Sequence, residues 1–119
     1  MAERLARVGG MLDVRLVSGD TFETLDEIAA RLGVPAARAR DGRAKLELVE
    51  ELGRERCVVV GNGTNDALAL EAAALGIVVV GPQGASGAAV RAGDVVCRSV
   101  HEALELLLEP RALVATLRA

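Results

Sequence analysis

Three short polar segments of this 119-residue chain carry residue types suited to phosphate chemistry. The first is Ser18-Gly19, which follows an apolar stretch and precedes a helical pattern. A hydroxyl beside the free amides of a helix N-terminus is a suitable cradle for an oxyanion. Serine is also common as a plain helix cap, so a purely structural role stays open for this segment.

The second segment is the glycine-rich turn GNGTND at residues 61–66, between two apolar runs. Its glycines let the backbone approach a ligand, and Asn62, Asn65 and Asp66 supply oxygen ligands of the kind that Mg²⁺ accepts. A dinucleotide-binding turn is the weaker interpretation, because that motif needs a third glycine where Asp66 stands. A purely structural turn is the remaining alternative.

The third segment contains Lys45, which lies near the start of a predicted helix whose other face is apolar. If that helix starts beside the same sheet edge as the other two segments, the ammonium group can neutralise a phosphoryl group. The alternative is an ordinary helix lysine that points at solvent.

The elements that must position these segments alternate between strands and helices. Short β-branched runs are followed within two residues by Gly or Ser and then by a helical pattern; they predict strands at Asp13–Val17, Cys57–Val60, Ile77–Val80 and Asp94–Cys97. This order is typical of parallel βαβ units, and apolar runs without alternation indicate strands covered on both faces. We therefore predict a doubly wound α/β sheet, in which ligands bind beyond the carboxyl ends of the strands.

Capping residues predict where the helices begin and end. The predicted starts are Asp20 with Glu23, Ser99 with Glu102, and the simpler candidates Asp41, Thr64 and Pro110. The predicted ends are Gly33, Gly53 and Gly76.

Composition excludes several function classes. The chain is 51% hydrophobic and 26% charged, which suits one soluble globular domain. A net charge of -3 and a single aromatic residue, Phe22, argue against nucleic-acid binding.

The longest apolar run, residues 72–80, is too short for a membrane span, and the N-terminus lacks a secretory signal pattern. Cys57 and Cys97 match neither zinc nor redox spacing, so we predict buried free thiols and a cytoplasmic protein.

Taken together, the three polar segments resemble motifs of the haloacid dehalogenase (HAD) superfamily, most closely its soluble branch similar to the phosphorylation domain of P-type ATPases. VRLVSGDTFETLDEIAARLGV looks like the second motif, with Ser18 at the phosphate-binding position. Lys45 in RAKLELVEELG matches the third-motif lysine. VVVGNGTNDALALEAAALGIVVVG resembles the fourth motif, GDGxNDxxAL, whose acidic residue is retained as Asp66.

This resemblance covers nearly the whole chain and implies a Rossmann-like three-layer αβα sheet in a single core domain, residues 1–119. It also implies a Mg²⁺-dependent phosphohydrolase that acts on a small phosphorylated molecule. In such an enzyme Lys45 and Asp66 would be catalytic, Ser18, Gly19 and Lys45 would bind phosphate, and Asn62 and Asp66 would hold the metal.

Two departures from the family pattern lower the expected activity. No DxDx[TV] nucleophile motif occurs: Asp13 begins a predicted strand, and Asp41 precedes a helix with no apolar strand before it. Residues 1–10 resemble the helix that normally follows that motif, so we expect the central first strand to be missing from the chain. Asn62 stands where the family usually has a metal-binding Asp, and a neutral amide predicts weak Mg²⁺ binding.

Two hypotheses follow from these observations. The first is a HAD-like phosphohydrolase core that is inactive alone, because no carboxylate nucleophile is placed to attack. The alternative is a non-catalytic module that binds phosphate or oligomerises. Under both hypotheses the runs at residues 14–17 and 58–60 lie beside a gap, so they either close up directly or accept a strand from another chain, as in a homodimer.

Overall fold

The computed structural model describes residues 2–18 and 22–117 of the chain. Its helices are α1 (Ala2–Gly9), α2 (Phe22–Leu32), α3 (Gly42–Leu52), α4 (Ala67–Ala72), α5 (Gly87–Ala92), α6 (Val100–Leu108) and α7 (Pro110–Leu117). Its strands are β1 (Leu16–Ser18), β2 (Ala36–Arg38), β3 (Val58–Gly61), β4 (Leu75–Val79) and β5 (Val95–Cys97). Single 3₁₀ turns cover Arg54–Arg56 and Thr64–Asp66.

The strands form two parallel sheets with helices between successive strands. β1 pairs with β2, and β4 lies between β3 and β5. Every strand-to-strand connection within a sheet therefore passes through a helix, as parallel pairing requires. The predicted α/β class is confirmed. None of the helices within the described residues has the length and hydropathy needed to cross a membrane.

The central strand β4 is buried along its whole length and organises the core. Its side chains alternate between two apolar clusters, as the two-residue period of a strand dictates. Ile77 packs with Val95 and Ala103 on the α6 side, and Val78 packs with Leu70 and Ala89 on the α4 and α5 side. Burying a large apolar side chain such as Ile77 stabilises the fold by about 1.5–3 kcal/mol. The three-layer arrangement follows from these two clusters.

Several predicted helix boundaries are confirmed by the caps. Asp41 Oδ1 accepts a hydrogen bond from Ala44 N at 2.8 Å at the start of α3, and Ser99 Oγ accepts from Glu102 N at 3.1 Å at the start of α6. Gly53 follows α3 with a positive φ, and Pro110 opens α7. The Asp20–Glu23 box involves a residue outside the described ones.

Two predicted helix boundaries are wrong, and one strand of the structure, β2, was not predicted. Thr64 opens a 3₁₀ turn, and α4 begins only at Ala67. Helix α4 ends at Ala72, so Gly76 does not end it but lies inside β4. Strand β2 was not predicted, because its residues Ala-Ala-Arg carry no β-branched signal and its extended backbone is held by pairing with β1.

Gly76 is required by the close packing of β4 against the end of α4. A Cβ atom at this position would lie 2.5 Å from the Leu70 carbonyl oxygen. Its N–H donates to Asp94 Oδ2 at 2.8 Å, which ties β4 to the segment before β5. Only glycine allows the backbone of β4 this close to the helix.

The two cysteines are free, as predicted, although only Cys97 is fully buried. Burial raises the pKa of both thiols, and the nearby Glu55 raises that of Cys57 further. Both thiols are therefore protonated at neutral pH and behave as small apolar side chains.

Within the described residues, β1 and β3 are not hydrogen-bonded to each other and belong to separate sheets. The prediction that these two strands close up directly is therefore wrong for the described part of the chain. Helices connect the two sheets instead: α1 packs against both α2 and α6, and α3 packs against α4. The homodimer stays a prediction.

Substituting Gly76→Ala should lower the free energy of unfolding by about 2 kcal/mol or more, because the backbone of Leu70 must shift to admit the methyl group. Urea unfolding followed by circular dichroism measures the loss. Gly81→Ala is the matched control, since a Cβ there meets no atom within 4 Å. Equal stability of the two variants would contradict the packing described for β4.

Sedimentation equilibrium should give twice the protomer mass of 12.3 kDa if the open edges of β1 and β3 draw two copies together. Val60 of β3 is 37% exposed, whereas every residue of β4 is buried, so the β3 side has apolar surface left to cover. A mass of one protomer at micromolar concentration would exclude the homodimer.

Candidate phosphate-binding site

Lys45 and Asp66 meet at the junction between α3 and the turn that follows β3. Lys45 lies in the first turn of α3, where its backbone N–H donates to the Asp41 carbonyl at 3.1 Å. Asp66 closes the 3₁₀ turn after β3. The Lys45 Nζ atom lies 2.8 Å from Asp66 Oδ1, and both side chains are largely shielded, with 13% and 15% of their surfaces exposed. The helix therefore starts beside the predicted sheet edge, as a functional role for Lys45 requires.

The second carboxylate oxygen of Asp66 fastens the 61–66 loop (Gly61–Asp66). Oδ2 accepts hydrogen bonds from the backbone amides of Asn62 and Gly63, both at 3.0 Å. The loop is also closed by the Asp66 N–H, which donates to the Gly63 carbonyl at 2.9 Å. Asp66 thus connects one ammonium group and two backbone amides through a single carboxylate.

Two glycines make room for this arrangement. A Cβ on Gly61 would lie 2.7 Å from the Asp66 carboxyl carbon, and a Cβ on Gly42 would lie 3.1 Å from the Asn65 carbonyl oxygen. Gly61 therefore admits the Asp66 side chain rather than a ligand, contrary to the sequence-based interpretation. Gly42 lets the first turn of α3 touch the 61–66 loop, which brings Lys45 within reach of Asp66.

Burial opposes ionisation of Asp66, but its hydrogen-bond partners outweigh that cost. The Lys45 ammonium and the amides of Gly63 and Asn62 all favour the carboxylate, and together they hold the pKa of Asp66 below its ordinary value. At neutral pH Asp66 is therefore a carboxylate, and it holds the side chain of Lys45 beside the loop.

The described side chains do not fit a resident Mg²⁺ ion. Both oxygens of Asp66 are already engaged by Lys45 and the loop amides, and Asn62 offers one exposed neutral amide. No group of three or more His, Cys, Asp or Glu side chains in the described part of the chain could hold a metal. Magnesium needs several oxygen ligands in octahedral array. Metal binding by Asn62 and Asp66 stays a prediction that this geometry does not favour.

Three other aspartates, Asp13, Asp41 and Asp94, lie elsewhere and have structural partners. Asp13 Oδ2 lies 3.3 Å from Arg15, Asp41 caps α3, and Asp94 accepts from the amide of Gly76. Asp66, by contrast, contacts Lys45 and is committed to that contact. None of Asp13, Asp41 and Asp94 is therefore placed beside Lys45 to act as a nucleophile.

The remaining predicted phosphate ligands lie at the carboxyl end of β1. Ser18 is the last residue of β1 and pairs in register with Arg38 of β2, while Gly19 lies outside the described residues. Their phosphate-binding role therefore stays a prediction. The role of Gly42 was not predictable from sequence, since a glycine at a helix start has no signal for a contact 23 residues away. Lys45 is the single lysine among the fourteen basic residues of the chain.

Replacing Asp66 by Asn should lower the free energy of unfolding at pH 7 by about 1.5–3 kcal/mol, because the amide cannot pair with Lys45. The folded-state pKa of Asp66 is depressed, so this contribution is complete above the ordinary carboxyl pKa of about 3.9 and disappears as the pH falls through the lower folded value. Urea unfolding of both proteins between pH 7 and pH 3 measures the difference.

Asp13→Asn is the control for that titration, because Asp13 is exposed and its partner Arg15 is also on the surface. It should change the stability by less than about 0.5 kcal/mol across the same range. A difference between wild type and Asp66→Asn that stays constant down to pH 3 would contradict the role given to the carboxylate.

Comparison with known proteins shows the family to which this chain belongs. Residues 2–74 match the model of the haloacid dehalogenase-like hydrolases. The uncharacterized protein MJ0073 of Methanocaldococcus jannaschii is 42% identical over 79 residues, which cover 63% of this chain and 85% of that protein.

Solved structures share the fold at low sequence identity. The catalytic domain of the CPx-ATPase CopB-B superposes with a TM-score of 0.78 at 18% identity, covering 90% of this chain and 44% of that one. The 3-deoxy-D-manno-octulosonate 8-phosphate phosphatase of Moraxella catarrhalis, solved with magnesium and phosphate ions, superposes with a TM-score of 0.71 at 24% identity, covering 98% and 73%. This chain spans less than half of the CopB-B chain. With the family model matched over more than half of its residues, the chain belongs to the haloacid dehalogenase-like hydrolases.

Proposed function

We propose that this chain is a HAD-like phosphohydrolase core that binds the phosphoryl group of a small phosphorylated molecule beside Lys45. The observation that carries the proposal is the shielded Lys45–Asp66 pair, fixed at the end of β3 by two loop amides. In an open α/β sheet this is the edge at which ligands bind.

Lys45 is the residue that would meet the phosphoryl oxygens. Its ammonium group has three N–H donors, and the contact with Asp66 Oδ1 uses one of them. The other donors can bond to phosphate, while Asp66 keeps the ammonium in a fixed position. The cation is therefore preorganised, which is the condition for strong electrostatic stabilisation of a phosphoryl group.

Ser18 and Gly19 would complete the phosphate site from the carboxyl end of β1. A hydroxyl and a backbone amide there would donate to phosphoryl oxygens. Asp66 would act as a positioning residue for Lys45, and Asn62 would give at most one weak oxygen contact to Mg²⁺.

We further propose that the chain alone binds phosphate esters without hydrolysing them. Covalent phosphoryl transfer needs a carboxylate in line with the phosphorus atom. The carboxylates of Asp13, Asp41, Asp66 and Asp94 are each held by another partner. That observation also favours the second candidate, a phosphate-binding module without catalytic activity of any kind.

Phosphate binding is tested by titrating the amide NMR spectrum of the chain with inorganic phosphate. We expect saturable shifts at residues 62–67, and Lys45→Met should weaken binding about tenfold or more, because a charge-assisted hydrogen bond is lost. The matched control is Arg7→Met, which removes an exposed cation from α1. Equal losses in the two variants would refute a specific role for Lys45.

Turnover is tested with an aryl phosphate and Mg²⁺, using Asp66→Ala to expose contaminating activity. The proposal expects no hydrolysis above that of the variant. Hydrolysis that disappears in Asp66→Ala would show that the chain is an active enzyme by itself and would overturn the binding-only proposal.

A further inference from the structure

Two backbone carbonyls of the 61–66 loop already have hydrogen-bond donors within the protein. The Asn62 carbonyl accepts from the Ser86 N–H at 2.9 Å, which ties the loop to the start of α5. The Gly63 carbonyl accepts from the Asp66 N–H, also at 2.9 Å. An acceptor that has a donor leaves no unmet hydrogen bond for a ligand to satisfy. A ligand that brings a donor of its own therefore gains little at these two groups.

The Asp66 carboxylate is engaged in the same way. Oδ2 accepts from two loop amides, so both of its lone pairs are used. Oδ1 accepts from Lys45 Nζ at 2.8 Å and keeps one lone pair. A ligand proton donated to Oδ1 would draw on the same negative charge that holds Lys45 in position. Donation to Asp66 would therefore weaken the contact on which anion binding depends.

The Lys45 side chain contributes donors to this junction and no acceptor. One of its N–H groups is used by Asp66, which leaves the others for a ligand. The exposed side-chain amides of Asn62 and Asn65 each carry both a donor and an acceptor, so they favour neither kind of ligand atom. The balance at the junction between α3 and the 61–66 loop is therefore on the side of donors.

We infer that this site takes fully ionised tetrahedral oxyanions and does not distinguish sulfate from phosphate of equal charge. The inference rests on the proposed function and defines the ligand class of its phosphate site. Sulfate and the phosphate dianion share shape and charge, and they differ in the proton that phosphate keeps. A site separates them through an acceptor that stays unpaired when the proton is missing. The loop carbonyls and the Asp66 carboxylate already have donors, so that difference is not read.

The same argument predicts a clear preference among esters. A phosphate monoester carries close to two negative charges above its second pKa of about 6, whereas a sulfate monoester carries one. An anion held at Lys45 is bound through its charge, so the phosphate monoester should bind about tenfold more tightly. Selectivity for phosphate esters then comes from the number of charges and needs no acceptor for a phosphate proton.

The protein groups around Lys45 and Asp66 do not include a histidine, the side chain that ordinarily changes charge near neutral pH. The pair lies among α3, α4, α5 and the two 3₁₀ turns. The charged residues of these five elements are Arg43, Lys45, Glu47, Glu50, Glu51, Arg54, Glu55, Arg56, Asp66, Glu71 and Arg91. His101, the only histidine of the chain, lies on α6, on the other side of β4 from α4. A change in affinity between pH 5.5 and pH 8 should therefore come from the anion.

The test is titration of the full chain with inorganic phosphate and with sulfate at pH 8 and at pH 5.5, at equal ionic strength, followed by amide NMR. At pH 8 we expect the two Kd values to agree within about threefold, because the charges are equal. At pH 5.5 phosphate has lost most of its second charge, so it should bind about tenfold more weakly than sulfate. The sulfate titration also reports any change in the protein itself.

Two outcomes of these titrations would overturn the inference. Sulfate that binds ten times more weakly than phosphate at pH 8 would show that the phosphate proton is recognised. Phosphate that keeps its full affinity at pH 5.5 would show that the monoanion is accepted. Methyl phosphate and methyl sulfate at pH 8 test the charge rule, and equal affinities of these two esters would contradict it. All of these comparisons use the wild-type chain, so they do not depend on a variant that folds.

The variant Lys45→Met separates this inference from the function on which it rests. It should weaken phosphate and sulfate by the same factor of about ten, and Arg7→Met should change neither. If phosphate binding depends on Lys45 but sulfate does not bind, the ligand-class inference fails and the phosphate site stands. If neither anion depends on Lys45, the phosphate site itself fails. Thermal melts of both variants check that they are folded.

Discussion

The ion pair between Lys45 and Asp66 sets the geometry around it. Lys45 comes from α3, which follows β2, and Asp66 comes from the turn after β3, so the pair connects two sheets that share no strand pairing within the described residues. Because both side chains are shielded from water, removal of either partner would leave a charge with little solvation. Gly42 lies close to Asn65, and Gly61 lies close to Asp66. A larger side chain at position 42 or 61 would hold Lys45 and Asp66 apart.

The same carboxylate also explains why metal chemistry is weakly supported here. A carboxylate that accepts from an ammonium group and two amides stabilises the loop and orients a cation, but it has little capacity left for an ion. With an amide at position 62, the site is better suited to holding anions than cations.

Predictions from sequence succeeded where a pattern was continuous and failed where tertiary contacts decided. The β-branched runs of β3, β4 and β5 and the caps at Asp41 and Ser99 were predictable because their signals are local. Strand β2 carries two alanines and an arginine, and it is extended because β1 is beside it. Gly76 seemed to end a helix, yet it serves the contact of β4 with Leu70. The meeting of Lys45 with Asp66 followed from the sheet edge, but its dependence on Gly42 is visible only in three dimensions.

The single lysine has a consequence for chemical labelling. Thirteen of the fourteen basic residues are arginines, which do not react with ordinary acylating reagents, so among the side chains an amine-selective reagent has one target. That target is held by a carboxylate and is only 13% exposed, so it should acylate slowly in the folded chain. Acylation would neutralise the charge and break the contact with Asp66. The yield of ε-acylated Lys45 would therefore report how often the junction between α3 and the 61–66 loop opens.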